Sequence, residues 1–399
     1  MKRIVILCDG TWNAAEAVHP TNVVRLGQAL AATGADGLAQ VPIYVEGVGT
    51  GRRGVTRLSR AMDRFLGGAL GLGLLDNVVE AYRHLVFLHE PGDEVYVFGF
   101  SRGAFTARSL AGFIRFTGLL SRGRLSYLPE AVARYAERRL ESAARRQSRN
   151  AEWRAINAPD YLVDPEDRDI YAEFGADRAV PFDLAYLGVW DTVGALGIPG
   201  HLTAAPFLNR KYAFHDTALS PMVRAARHAV AIDERRRSFR PTLWSNLDTL
   251  NAGREGRPYR EAHFAGDHGS VGGGGDLTGL SALALLWMIE GAQGAALEFD
   301  DMVLKALMAE ADPMAALSNS RVPKGGPVAA LMRRFGAARD AVARFEDVSD
   351  PARERWAFEA KTPGFAPYRP EPLAPLEVDL TRWRDDRVAG RKAVGSGGR

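Results

Sequence analysis

The sequence predicts an α/β fold, a mainly parallel sheet with helices on both faces. Three observations carry that expectation. Short continuous apolar runs recur at Ile4–Cys8, Val41–Val45, Glu94–Phe98 and Leu184–Trp190, and such runs read as strands buried on both faces. Segments with helical spacing intervene: Val78, Val79, Tyr82, Leu85, Val86 and Leu88 within Asp76–His89, then Ala104, Phe105, Leu110, Phe113 and Ile114 within 104–116. Turn signals separate them, at Asp9-Gly10-Thr11 and Pro91-Gly92-Asp93.

Composition sets the outer limits. In 399 residues, 46% are hydrophobic and 25% charged, which is ordinary for a globular protein. Lys plus Arg is 51 against 48 for Asp plus Glu, a net of +3 with no concentrated basic face, so nucleic acid is not an expected partner. A single cysteine, Cys8, excludes an intrachain disulfide and a cysteine-based zinc site. Lys2 and Arg3 precede an apolar run that Asp9 stops, too short for a secretory signal. The longest apolar stretches, near Phe65–Leu75 and Leu280–Ile289, are too short to span a bilayer, so a cytoplasmic protein is expected, with peripheral membrane contact at most.

Residues 121–182 break the strand–helix alternation. Between Ser121 and Arg154 nine arginines face four glutamates, and Pro159–Asp177 is acidic and turn-rich. A mobile cap inserted over the sheet is expected here, with a charged helix at Ala131–Arg146. The catalytic domain is drawn as 1–295 and a helical C-terminal extension as 296–389. Within the extension, Met302–Ala311 and Val328–Phe345 read as helices and Pro363–Pro375 as a proline-rich stretch; 390–399 reads as a flexible tail.

Gly99-Phe-Ser-Arg-Gly103 matches G-x-S-x-G between a strand and a helix, the setting of a nucleophile elbow. A serine at the tip of so sharp a turn needs neighbours without side chains two residues before and two after, here Gly99 and Gly103. A hydroxyl also needs a general base oriented by an acid. In α/β hydrolases these follow in the order serine, acid, histidine. Asp191 ends the strand Leu184–Trp190 and is the candidate acid. Among eight histidines, His19, His84, His89, His201 and His215 precede the acid or lack a strand-end position, and His228 sits inside a periodic run. His263 reads as a packed strand residue. His268, opening a glycine-dense loop that ends at Gly275, is the candidate base. The expected oxyanion hole combines the Arg102 N–H, at the start of a helix, with an N–H from Gly10 or Thr11.

Several strings in order resemble the α/β-hydrolase family whose best-known members are type VI secretion phospholipase effectors. They are Cys8-Asp-Gly-Thr-Trp-Asn13, Thr21-Asn-Val-Val24, Gly47-Val-Gly-Thr50, Gly92-Asp93, Gly99-Phe-Ser-Arg-Gly-Ala-Phe-Thr-Ala-Arg108, Gly188-Val-Trp-Asp-Thr-Val-Gly194, Ala231-Ile-Asp-Glu-Arg235 and the His268 loop. The resemblance runs from Lys2 to about Ile289. It implies Ser101 as nucleophile, Asp191 as acid and His268 as base in hydrolysis of phospholipid or other acyl-lipid esters through an acyl-enzyme, without a cofactor. The chain departs from the family pattern at Ser270, where members carry Asp, and at Gly275, where they carry an aromatic residue.

Rival readings are testable on the same residues. A haloacid-dehalogenase reading of Asp9-Gly10-Thr11 fails because Leu7 stands where the nucleophilic Asp belongs. Gly49-Thr-Gly51-Arg-Arg-Gly54 fits a dinucleotide fingerprint, but no acidic residue ends a second strand ~20 residues on. A metal-dependent phosphoesterase would recruit Asp9, Asp191, Asp267 and His268. A catalytically silent binding protein would keep the fold without the chemistry.

Overall fold

A computed structural model describes residues 1–11, 13–47, 70–137, 143–194, 217–319, 336–358 and 366–396. The loop 49–54, whose glycines fit a dinucleotide fingerprint that lacks its acidic partner, lies outside them. Six strands form a wholly parallel sheet: β1 (Lys2–Cys8), β2 (Ala39–Val45), β3 (Glu94–Phe100), β6 (Tyr186–Trp190), β7 (Ala226–Ala231) and β8 (Tyr259–Phe264), in the order β2-β1-β3-β6-β7-β8. A separate two-stranded pair, β4 (Tyr161–Leu162) and β5 (Val180–Pro181), lies inside the insertion. The α/β expectation holds, with helices on both faces.

Strand alternation sorts the apolar residues into two layers. Ile4, Ile6, Cys8, Val95, Val97, Leu187 and Val189 face one side, packed against the helices Leu70–Leu88 and Arg102–Thr117. Val5, Leu7, Tyr96, Phe98, Tyr186 and Trp190 face the other, against Asn22–Ala29 and Gly279–Gln293. Both faces are therefore dry, which is why these strands read as unbroken apolar runs rather than as alternation. Register then matters for the site. Cys8 pairs with Gly99, Phe100 with Trp190, and Ala231 with Phe264, so the carboxyl ends of the strands are level and Asp9, Ser101 and Asp191 emerge on one edge.

Of the charged helix expected at Ala131–Arg146, residues 138–142 lie outside the described residues. The insertion's described helices are Leu128–Glu137 and Ala143–Asn157, and Leu128, Ala131 and Trp153 join the first apolar layer. Arg154 is buried: it pairs with Asp167 and donates to the Arg115 and Phe116 carbonyls at the end of the helix Arg102–Thr117. That cation satisfies helix-end acceptors that water would otherwise have to reach.

The C-terminal region departs further. Asp301–Glu310 is a helix capped by Asp300; of the helix expected at Val328–Phe345, 328–335 lies outside the described residues and 336–344 has no regular secondary structure. Its backbone bonds go elsewhere: Ala337 N–H donates to Arg235 O and Val342 N–H to Pro372 O. Within the proline-rich stretch, Glu371–Leu376 is a short 3-10 helix. The final helix, Glu377–Ser396, runs through most of the segment expected to be a tail. Val342, Val348, Trp356, Tyr368, Leu373 and Leu380 build a third apolar cluster that includes Ile232 and Ala265 from the ends of β7 and β8.

Candidate active site

Ser101 follows β3 with φ 58° and ψ −119°, a left-handed conformation that costs a non-glycine residue of order 1–3 kcal/mol. Its N–H donates to Trp190 O at 3.0 Å, tying the turn to the end of β6. The flanking glycines are required sterically. A Cβ on Gly99 would lie 2.4 Å from Gly103 O, and one on Gly103 would lie 2.1 Å from Cys8 O. Strand and helix thus approach too closely for any side chain, and Ser101 is held at the apex.

Asp191 follows β6 and also takes a positive φ, 40°. Its N–H donates to Ala229 O at 2.7 Å. The carboxylate is fully buried and its oxygens are richly partnered. Oδ1 accepts from Ala231 N–H at 3.0 Å and Arg339 Nη1 at 2.5 Å; Oδ2 accepts from Arg339 Nη2 at 2.8 Å and lies 2.6 Å from His268 Nδ1. Burial by itself would raise this carboxyl. The Arg339 charge, with the hydrogen bonds from His268 and Arg339, overrides burial and holds it well below the usual carboxylate range.

His268 opens the short helix His268–Gly272. Asp267 caps that helix, accepting from Ser270 N–H at 2.9 Å, while Ser270 Oγ lies 2.8 Å from Asp267 Oδ1 and 2.9 Å from Leu317 O. Ser270 therefore helps to fix the histidine turn. The imidazole sits between Phe100, at 4.6 Å between ring centres, and Phe239, edge-on at 4.8 Å. Because Phe100 immediately precedes Ser101, the ring is carried beside the elbow. Among the described residues no hydrogen bond joins Ser101 Oγ to this ring, a looseness common before substrate binds.

The Asp9–Thr11 turn abuts the elbow: a Cβ on Gly10 would lie 3.3 Å from Ser101 Cβ. Asp9 Oδ2 accepts from Thr21 Oγ1 and Tyr44 OH, both at 2.9 Å, and Oδ1 accepts from Gly10 N–H at 2.7 Å. The Gly10 N–H is thus occupied by Asp9. Asp9 is raised by burial, against those bonds, and its oxygens are committed to shaping the turn. Among the described residues no three of His, Cys, Asp and Glu gather in a metal-holding set, so Asp9, Asp191, Asp267 and His268 do not converge as a phosphoesterase would need.

Two supports escape the sequence reading. Arg339 is one, an arginine in the distal extension with no local motif. The other lies behind the acid: Thr192 N–H donates to His228 Nε2 at 3.1 Å, and His228 Nδ1 lies 2.8 Å from Glu261 Oε1, which also accepts from Trp244 N–H at 3.0 Å. His228 lies on β7 and Glu261 on β8, paired in register.

A parallel α/β sheet that presents a serine on a strained strand–helix turn, a buried acid and a histidine at the carboxyl ends of its strands defines the α/β-hydrolase class. Within that class the chain belongs to the type VI secretion Tle1-like phospholipase effector family, whose catalytic-domain model matches residues 2–291. An uncharacterized protein of Saccharomyces cerevisiae, YEL023C, is 29% identical over 252 residues, covering 62% of this chain; the chain spans a third of that relative's length. Of solved structures, an uncharacterized protein from Pseudomonas aeruginosa aligns at 19% identity and TM-score 0.40, over 84% of this chain and 52% of its own. The Tle1 effector bound to the VgrG spike aligns at 18% identity and TM-score 0.33, over 68% and 51%.

Proposed function

We propose that this protein is a serine hydrolase that cleaves phospholipid or other acyl-lipid esters through an acyl-enzyme. The observation that carries the reading is the 2.6 Å contact between His268 Nδ1 and a buried, ionised Asp191, one strand away from a serine held at positive φ. Family membership supports the lipid ester as substrate class.

The chemistry follows from these positions. An ionised carboxylate only accepts, so His268 Nδ1 carries the proton and Nε2 is the base. Ser101 Oγ attacks the ester carbonyl carbon as its proton passes to Nε2, and Asp191 stabilises the imidazolium that forms. The Arg102 and Thr11 N–H groups receive the carbonyl oxygen as it becomes negative; one such donor is worth ~10²–10³ in turnover. His268 then protonates the departing alkoxide, and water, deprotonated by the same nitrogen, releases the fatty acid. No metal enters this scheme. In domain terms, residues 1–295 supply the triad, 121–182 form a cap, and the extension from 296 braces the acid and base loops. No helix among the described residues is long and apolar enough to cross a membrane, so lipid would be met at a surface.

A panel of phospholipids and simple acyl esters, assayed with the wild-type protein and Ser101→Ala, tests the proposal. Release of fatty acid by the wild type and its loss in the variant is the expected result. Equal release by both proteins, or release that requires an added divalent cation, would overturn it.

A further inference from the structure

We infer that Arg339 is a positioning residue for this reaction, a guanidinium clamp from the C-terminal extension that sets both the orientation of the catalytic acid and the charge its histidine meets. The inference rests on the triad reading above.

The geometry is specific. Arg339 is buried, and its two terminal nitrogens take the two Asp191 oxygens separately, at 2.5 and 2.8 Å, in the fork arrangement that fixes a carboxylate plane. The same nitrogens donate to Ala231 O and Phe239 O, each at 2.8 Å. Those carbonyls come from the end of β7 and from the segment that lays Phe239 against the His268 ring. One side chain thus joins the acid, the strand end beside it and a wall of the histidine pocket. It does so from outside the 2–291 segment that defines the family's catalytic domain.

Charge counting gives the function. With His268 neutral, the buried pair of Asp191 and Arg339 sums to zero. Without Arg339, Asp191 would leave an unbalanced negative charge on a fully buried carboxylate, and the cheapest relief is a proton held by the Asp191–His268 pair. Other charges nearby do not supply that relief. Arg236 is committed to Glu234, with contacts of 2.7 and 2.8 Å, and Glu234 also accepts from His268 N–H at 3.3 Å. Asp267 is committed to Ser270, and the remaining walls, Phe100 and Phe239, are apolar. Arg339 therefore leaves the Asp191–His268 pair without that surplus negative charge.

The test follows the rate at which a fluorophosphonate modifies Ser101, against pH, in wild type, Ser101→Ala, Arg339→Met and Arg339→Lys, each checked for folding by thermal melting. For Arg339→Met the acidic limb of the profile is expected to move to higher pH, because the negative charge of Asp191 is then no longer balanced. Arg339→Lys keeps the charge but not the fork, so its limb should stay near wild type while the plateau rate falls at least about tenfold. A merely structural arginine would lower the amount of labelled protein without moving the limb. If Arg339→Met does not fold, Arg339→Lys decides alone: a plateau equal to wild type would overturn the clamp. A folded Arg339→Met with the wild-type limb and rate would overturn the inference while leaving the triad standing. Labelling that persists in Ser101→Ala would remove the triad reading and this inference with it.

Discussion

The serine side and the acid side of this site are built on opposite plans. Ser101 owes its position to neighbours within a few residues: Gly99 and Gly103 permit a contact of strand with helix that no side chain allows. Asp191 owes its position to residues far away in the chain, Ala231, His268 and Arg339 on its oxygens and His228 beneath the following residue. A steric device is compact and shows in a five-residue string. A buried charge needs partners from several directions, and a fold recruits those from wherever the chain passes.

The contrast predicts an order of sensitivities. The largest effect belongs to the groups proposed to react. Ser101→Ala and His268→Ala should each lower ester turnover by roughly 10⁴–10⁶, and the double variant should lose no more than the worse single one, because groups acting as a unit are not additive. Steady-state assays of the three proteins check this, and multiplicative losses would separate His268 from Ser101.

Next comes the elbow. Gly103→Ala pushes a methyl into the Cys8 carbonyl, so β1 and the helix must part. We expect a loss of about 1–3 kcal/mol in urea denaturation, the usual cost of overpacking, with turnover reduced about a hundredfold. Retained turnover with lowered stability would show that the serine's conformation is not set by this contact.

On the acid side single supports should matter less, because the load is shared. His228→Ala leaves the buried Thr192 N–H without its acceptor, a cost of about 1–3 kcal/mol, while Asp191 keeps its direct partners. Turnover should fall less than tenfold. A loss as large as that of His268→Ala would make His228 part of the reacting set.

The smallest effect is in stability against pH. Asp191 is depressed in the folded chain, so its contribution is complete above its unfolded value of ~3.9 and is lost as pH falls toward the lower folded value. The stability difference between wild type and Asp191→Asn in urea melts should be constant from pH 7 to 5 and narrow below pH 4. A difference that widens on acidification would have the wrong sign for an ionised, arginine-paired acid.

The same contrast explains what the sequence made legible. Four of the six sheet strands, and the strand–turn–helix setting of the glycine-bounded serine, are local patterns of apolar runs and spaced glycines, and the fold has them in place. Asp191 was recognised by its place at a strand end and His268 by its glycine loop, and the fold brings those two into contact. Arg339 was not legible, because nothing in 336–344 distinguishes an arginine aimed at a distant carboxylate from one facing solvent. Its helical spacing misled for the same reason: Ala337 and Val342 satisfy their N–H groups on Arg235 and Pro372, tertiary bonds that override local preference. Arg154 shows the rule in the insertion: within an arginine-rich stretch, nothing local marks the one that caps a helix end. The sequence offers Gly10 and Thr11 alike as a donor, and only the fold shows the Gly10 N–H bonded to Asp9.

The most direct test of the central claim is capture of the acyl-enzyme. The wild-type protein would be mixed with a phospholipid for a fraction of a turnover, quenched in acid, digested and examined by mass spectrometry. The account predicts that the peptide carrying Ser101 gains the mass of one fatty acyl group, that the gain disappears on longer incubation in water, and that it is absent in Ser101→Ala. Phospholipid hydrolysis with no acyl group on that peptide, or an acyl group on another residue, would contradict it.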